Sequence, residues 1–308
     1  MNHSLNTPLV SVLMTAYNRE KFIGEAIESV LASAYTNFEL IITDDCSNDN
    51  TLAIAQQYAA KDSRVKVYQN EKNLGDYPNR NIAATYAKGK YLKYVDSDDI
   101  ISSDGLAVMV QAMEYFPEAA FGISHFNTEN DVDYPQLLSP QNAYQQHYDG
   151  MEVFRYGPVG AIFRKEIFDA VNGFNPTRYI SDTALYLKLA SSYPVIKLQP
   201  GLVKWRQHPQ QEFNYGNNSF SYLRLTYPMD MDFLNHKACP LNQAEIQRIK
   251  KRLKWKHARD ILSLAFRQKQ LRTALIIYKE SGLSLSQLFY GFKSYESVKK
   301  YFTEHTAT

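Results

Sequence analysis

The chain has 308 residues, 44% apolar and 21% charged, with 34 Lys/Arg against 32 Asp/Glu and a net charge of +2. That balance leaves ample apolar surface for a core and excludes a disordered chain. It also excludes a membrane-spanning protein, because no stretch approaches the ~20 apolar residues of a span.

Residues 1–8 are polar, so the expectation is a chain without a secretory signal. Residues 9–15 (LVSVLMT) form an apolar run of strand length. Residues 20–32 follow with Phe22, Ile23, Ala26, Ile27, Val30 and Leu31 at helical spacing. A second strand is predicted over 38–43, ending in Asp44-Asp45, then a helix over 49–60 with an acidic start. A third strand over 64–69, a helix over 77–87 and a fourth strand over 90–95 complete the alternation, and the last strand stops at Asp96-Ser97-Asp98-Asp99. Strands alternating with helices predict a parallel sheet with helices on its faces. Ligands bind beyond the carboxyl ends of such strands, which is where Thr15–Tyr17, Asp44-Asp45 and Asp96–Asp99 fall.

A further strand is predicted over 120–126, then a long polar loop or acceptor-side segment over 127–156. Order returns at 157–163, followed by helices over 165–171 and 182–191 and an extended segment over 195–204. From about residue 242 the pattern is helical. Residues 241–308 hold 14 Lys/Arg and 5 Asp/Glu, leaving 20 and 27 for residues 1–240, so an acidic body carries a basic tail. Two cysteines, Cys46 and Cys239, imply no disulfide framework and fit a reducing compartment.

The Asp96–Asp99 turn places carboxylates one residue apart. Hard oxygen ligands of this kind suit Mg²⁺ or Mn²⁺, which in turn hold a diphosphate; the same residues also suit a helix cap ahead of Asp104. Asp45 can accept the imide N–H of a pyrimidine, or serve as an ordinary turn residue.

Four segments in order, SVLMTAYNREKFIGEAIESVL, FELIITDDCSNDNT, NLGDYPNRNIA and KYLKYVDSDD, resemble family 2 glycosyltransferases over roughly residues 8–210. The resemblance implies a GT-A fold: an α/β, Rossmann-like nucleotide-binding sheet with helices on both faces, here with a C-terminal helical appendage. It divides the chain into a nucleotide-sugar half (1–125), an acceptor and catalytic-base half (126–218) and a basic helical region (219–308). On this resemblance Thr15, Ala16 and Tyr17 wall the base pocket and Asp45 binds the uracil edge. Asn73 and Arg80 line the nucleotide or sugar-phosphate side. Asp96 contacts the ribose or donor sugar with Ser97 beside it, and Asp98 ligates the metal, completed by His208. Trp205 and Arg206 stand next to that histidine, where they could stack on sugar or phosphate. Gly157–Gly160 resembles the small-residue loop beneath the donor sugar. Asp182 corresponds to the catalytic base of a Glu-Asp pair whose Glu is Ser181 here; helix capping is its alternative role.

The implied activity is inverting transfer of a hexosyl or N-acetylhexosaminyl group from a UDP-sugar to a saccharide or lipid-linked saccharide, with Mn²⁺ or Mg²⁺. The implied location is cytoplasmic, peripheral on the inner membrane face. Lys250, Lys251, Arg252, Lys254 and Lys256 either meet anionic lipid or form a solvated helix face. A dinucleotide oxidoreductase would need glycines after the first strand, and Thr15-Ala16-Tyr17-Asn18 has none. A metal-dependent nucleotidyltransferase and a non-catalytic nucleotide-sugar-binding module are the alternatives. No nucleic-acid module is recognisable.

Overall fold

In a computed structural model, residues 7–124 and 133–293 are described, and they divide into two compact units, residues 1–208 and 209–308. The first unit opens with β1 (Val10–Ala16), α1 (Ile23–Leu31), β2 (Phe38–Asp44), α2 (Thr51–Ala59), β3 (Val65–Gln69), α3 (Asp76–Thr85) and β4 (Tyr91–Tyr94). It continues with β5 (Ile100–Ile101), α4 (Gly105–Tyr115), β6 (Phe121–Ser124), β7 (Gln136–Leu138) and α5 (Pro140–Gln146). It closes with β8 (Ala161–Arg164), α6 (Lys165–Ala170), α7 (Ser181–Ala190), β9 (Val195–Leu198) and β10 (Val203–Lys204).

Eight strands form one sheet in the order β3-β2-β1-β4-β8-β6-β9-β7. Strands β3, β2, β1 and β4 are mutually parallel, as the alternation predicts. Beyond β4 the sheet is mixed, because β8 runs antiparallel to both β4 and β6, and β7 antiparallel to β9. The central strands read as unbroken apolar runs because both faces are covered. One face is aliphatic, where Val12, Met14, Ile42 and Ile162 pack against Ile27 of α1, Ala55 of α2 and Met109 of α4. The other is aromatic: Phe121, Phe163 and Tyr186 of α7 stack with centroids 5.3–6.0 Å apart, and Tyr94 meets Phe168 of α6 and Phe174.

Two features differ from the sequence expectation. Helix α4, which the predicted elements lack, buries Leu106, Met109, Val110 and Met113 at helical spacing. The predicted loop over 127–156 contains β7 and α5, the latter started by Ser139, whose side chain accepts from Asn142 N, and by Pro140. These elements are too short to register as periodicity. Residues 125–132, which include the end of the predicted strand, lie outside the described residues.

The second unit is helical from its start: α8 (Glu212–Asn218), α9 (Ser221–Asn235), α10 (Gln243–Phe266), α11 (Leu271–Ser281) and α12 (Leu285–Tyr290). Its core joins Tyr227 of α9, Ala258, Ile261 and Leu264 of α10, and Ala274 and Ile277 of α11. Reciprocal capping boxes at Asn242/Glu245 and Ser284/Gln287 start α10 and α12, and Gly282, at φ 66°, ends α11. No helix among the described residues is long and apolar enough to cross a membrane.

The entry to β4 is fixed by a buried carboxylate. Glu39 accepts from Ser11 Oγ and Lys88 N, both at 2.7 Å, and Gly89 N donates to the same Ser11 Oγ at 2.9 Å. A Cβ at Gly89 would lie 2.6 Å from Ser11 N and 2.7 Å from Leu9 O, atoms of the backbone that cannot turn aside. Gly89→Ala is therefore expected to destabilise the protein by about 1–3 kcal/mol, read from chemical denaturation.

Candidate active site

Because β1, β2 and β4 are parallel, their carboxyl ends open on one edge, and short hydrogen bonds tie the three following loops together. Ser97 Oγ donates to Thr15 O at 2.8 Å, and Asp45 N donates to Ala16 O at 2.8 Å. Asn18 N donates to Ser47 Oγ at 2.9 Å while Asn48 N donates to Asn18 Oδ1 at 2.8 Å. Ala16 is buried, Thr15 half-buried and Tyr17 43% exposed, so the expected pocket wall ends in an accessible ring.

Asp45 is buried against the loop that precedes α3. Its Oδ1 accepts from Asn70 Nδ2 and Leu74 N, both at 2.8 Å, and its Oδ2 from Gly75 N at 2.9 Å, while Asn73 Nδ2 donates to Asp45 O at 3.1 Å. Asp45 and Asn73 thus meet at this edge. Oδ2, with one bond made, retains a lone pair for a further donor.

In the acidic turn, carboxylate oxygens of Asp96, Asp98 and Asp99 lie within 4.8 Å of one another. Asp98 Oδ2 accepts from Arg19 Nε at 2.8 Å and lies 2.9 Å from His208 Nε2. Burial works to raise the Asp98 carboxyl, but the Arg19 charge and the His208 hydrogen bond outweigh it and hold it low. Asp99 moves the other way: burial first, then the charges of Asp96 and Asp98, push it well up.

His208 reaches this turn because β10 pairs with β5, with Val203 opposite Ile101. Arg206 then straps the segment down. Its N donates to Asp99 Oδ1 at 3.0 Å, its Nε to Asp98 O at 2.5 Å and its Nη2 to Phe22 O at 3.0 Å. The Arg206 donors are thus engaged with the protein itself, and the His208 ring stacks on Phe22 at 4.5 Å. Three crowded carboxylates, one driven toward its protonated form, with an imidazole beside them, fit a hard divalent cation.

Arg80 ties the turn to α3, and its charge also acts on Asp182. This buried guanidinium donates to Asp76 Oδ1 at 2.8 Å and to Asp96 Oδ1 at 2.6 Å, and Tyr94 Oη donates to Arg80 O at 3.0 Å. Asp182, half-buried in the first turn of α7, accepts from Thr183 N at 2.7 Å. Burial, reinforced by the nearby Asp76 charge, raises its carboxyl to about 6 against the opposing pull of the Thr183 N–H, then of Arg80 and the Tyr77 hydroxyl. The approach to α7 is held by Asn81, which donates to Phe174 O at 2.7 Å and accepts from Phe174 N at 3.0 Å. Ser181, in the position of the family Glu, points elsewhere: its Oγ donates to Asn175 O at 2.6 Å.

Beneath the sheet edge, the buried Lys93 ammonium donates to Val159 O and, at 3.3 Å, to Ala161 O, and so fixes the Gly157–Gly160 turn. A Cβ at Gly160 would lie 2.9 Å from Ser124 O, which explains the small residue there. Arg19, Asp76, Tyr77, Lys93 and Asp99 are the participants that sequence reasoning did not assign. Arg19 and Asp99 lie within the recognised segments without an assigned role, and no periodicity marks Lys93, one charge inside an apolar strand.

The profile of Glycosyl transferase family 2 matches residues 11–171. Putative glycosyltransferase EpsE of Bacillus subtilis is 29% identical over 250 residues, covering 75% of this chain and 82% of that protein. An uncharacterized glycosyltransferase of Haemophilus influenzae is 38% identical over 109 residues, 35% of this chain and 44% of that one. An Escherichia coli UDP-Glc:α-D-GlcNAc-diphosphoundecaprenol β-1,3-glucosyltransferase, WfgD, is 40% identical over 105 residues, 34% of this chain and 41% of that one. With these last two, the chain spans less than half of the relative's length. Among solved structures, Staphylococcus aureus TarS 1–349 with UDP-GlcNAc superposes with a TM-score of 0.67 at 20% identity, covering 88% of this chain and 81% of that one. A Pyrobaculum calidifontis mannosyltransferase with GDP-Man and Mn²⁺ superposes at 0.64 and 17% identity, covering 97% and 84%. The fold is therefore that of GT-A enzymes.

Arg80→Gln removes the cation between Asp76 and Asp96 and leaves two poorly solvated carboxylates facing each other. The expected result is a loss of about 3 kcal/mol at neutral pH in chemical denaturation.

Proposed function

The chain belongs to glycosyl transferase family 2, and on that premise we propose that it transfers a sugar from a UDP-sugar to a hydroxyl of a saccharide or lipid-linked saccharide, with inversion at the anomeric carbon. The observation that carries the proposal is the placement of Asp182. It is a half-buried carboxylate with a raised proton affinity, one guanidinium away from the acidic turn at the sheet edge.

In this reading Thr15, Ala16 and Tyr17 wall the base and Asp45 Oδ2 takes the uracil imide N–H. Asn73 and the loop it anchors close over the nucleotide, and Asp96 faces the ribose and donor sugar, while Ser97, expected beside it, is buried with its hydroxyl bonded to Thr15 O and holds the turn in place. Residues up to about 125 form the donor half, and those from 126 to 218 the acceptor half. Asp98, with His208 beside it, would hold Mg²⁺ or Mn²⁺, whose charge stabilises a departing nucleotide diphosphate. Asp182 accepts the proton of the acceptor hydroxyl as the oxygen attacks the anomeric carbon. A single displacement inverts that centre, giving a β-linked product from an α-linked donor. Arg80 holds Asp96 and Asp76 in place through its hydrogen bonds, and its positive charge limits how far the Asp182 pKa rises. The UDP-GlcNAc in the TarS structure and the Mn²⁺ in the mannosyltransferase support the donor class and the metal. The diphosphoundecaprenol-linked acceptor in the WfgD name supports a lipid-linked acceptor, and with it a peripheral place on the inner membrane face through the basic region 219–308.

Asp182→Asn is expected to lower transfer by about 10²–10⁴-fold while UDP binding survives, measured by product formation and calorimetry. For wild type, kcat/KM should fall as pH drops below about 6, where Asp182 takes up a proton. The same raised pKa costs stability. Between the unfolded value of 3.8 and about 6 the native state binds more protons, so this contribution to stability falls as pH rises through that window. Asp182→Asn should therefore be more stable than wild type at pH 7, by roughly 1–3 kcal/mol in denaturation. A purely capping residue predicts unchanged transfer, since Asn caps as well as Asp.

Binding of UDP should exceed that of GDP and CDP, and Asp45→Ala should weaken it by about 1.5–3 kcal/mol. Chelation should abolish turnover and Mn²⁺ or Mg²⁺ restore it, with Asp98→Asn mimicking the chelator. Full metal-dependent turnover by Asp98→Asn would remove the cation from this turn.

A further inference from the structure

The basic cluster that stands out in the sequence is partly occupied within the helical unit. Lys250, Lys251 and Lys254 are half-buried on α10, and Lys250 Nζ donates to Asn235 Oδ1 at 2.5 Å. A different surface of the unit is open. Phe266 at the end of α10, Leu271 and Leu275 on α11, Leu285 and Phe289 on α12, and Phe292 beyond it are each 57–66% exposed. Phe292 joins two of these elements, its ring centroid 6.1 Å from that of Phe266 and 6.0 Å from that of Phe289. Leu271/Leu275 and Leu285/Phe289 are i, i+4 pairs, so each short helix presents an apolar row. Ala274 and Ile277 already supply the buried face of α11, so the exposed rows are additional to what the core requires.

Charge decides what fits this surface. Between residues 266 and 293 there are five cations, Arg267, Lys269, Arg272, Lys279 and Lys293, and one carboxylate, Glu280. Glu280 is paired with Arg224 at 2.5 and 2.6 Å. Aromatic and aliphatic side chains interleaved with long basic ones, on helices too short or too polar to cross a bilayer, match a segment that lies in the membrane interface. There the rings enter the acyl boundary while the basic heads extend to anionic headgroups. A cluster of exposed rings such as Phe266, Phe289 and Phe292, with exposed leucines on α11 and α12, is unusual on a chain without a partner.

We propose that the surface formed by the end of α10, α11 and α12 seats this protein on an anionic lipid bilayer. The inference deepens, and rests on, the peripheral-membrane reading above: it moves the contact from the middle of α10 to the apolar rows and gives hydrophobic insertion a part equal to charge.

The test is co-sedimentation of the full chain with vesicles of phosphatidylcholine alone or mixed with phosphatidylglycerol. Wild type should bind the mixed vesicles, bind phosphatidylcholine weakly, and be released in part by salt. Phe289→Ser combined with Phe292→Ser should lower partitioning about tenfold or more with an unchanged melting temperature, since both rings are exposed. Arg267→Glu combined with Arg272→Glu should lower it on the mixed vesicles only. Unchanged binding in both double variants would overturn the proposal. If Lys250→Glu combined with Lys251→Glu alone abolished binding, the peripheral reading would stand and this surface would be wrong. No vesicle binding by wild type, together with a dimer that the Phe289/Phe292 variant dissociates, would assign the surface to a second copy and overturn the proposal as well. Transfer to a soluble acceptor should be unaffected in every variant, which separates failure here from failure of the catalytic reading.

Discussion

The constraint on which the site depends is the burial of one guanidinium. Arg80 lies on α3 with little access to water, and a buried cation persists only where its charge and donors are matched. Asp76, one helical turn earlier, and Asp96, at the end of β4, provide that match at 2.8 and 2.6 Å. The bond to Asp96 fixes the start of the acidic turn relative to α3, and the bond from Tyr94 Oη to Arg80 O fixes the helix relative to the strand. The Asp182 carboxyl is raised chiefly by burial, and the Arg80 charge is one of the influences that hold it down. Charge balance at this one position thus sets the geometry of the donor edge and moderates the proton affinity of the candidate base.

A second arrangement places unlike charges where a ligand would redistribute them. Asp98 is held low by Arg19 and His208, whereas Asp99, one residue on, is pushed toward its neutral form by burial first and then by the charges of Asp96 and Asp98. Three carboxylates with oxygens within 4.8 Å of one another, and His208 beside them, make a donor set that suits a hard cation. The two-stranded ribbon β5–β10 matters here chiefly because it delivers Arg206 and His208 to that turn.

The helical unit follows a different logic. Its core is built from one face each of α9, α10 and α11, and the capping boxes of α10 and α12 start those helices with local side chains. The exposed apolar rows of α11 and α12 lie outside that core. Apolar area left in water is costly, and its retention is consistent with a surface used in contact with another phase or molecule.

The sequence by itself determined the first half of the sheet. Runs such as 9–15 and 38–43 are apolar on both faces because both are covered, and this alone requires a parallel, helix-flanked arrangement with Thr15, Asp45 and Asp96–Asp99 at one edge. Asp182 and His208 were legible only through the family resemblance, since a single Asp or His carries no periodic signal. Tertiary structure decided the rest: the antiparallel insertion of β8 beside β4, the pairing of β10 with β5, and the contact of His208 with Asp98 across 110 positions. It also decided which lysines of the tail are engaged and which phenylalanines remain outside. The physical reason is range. Hydrophobic period and capping chemistry act over a few residues and are written locally, whereas strand order, ion-pair partners and the exposure of an apolar face depend on which distant segments pack together.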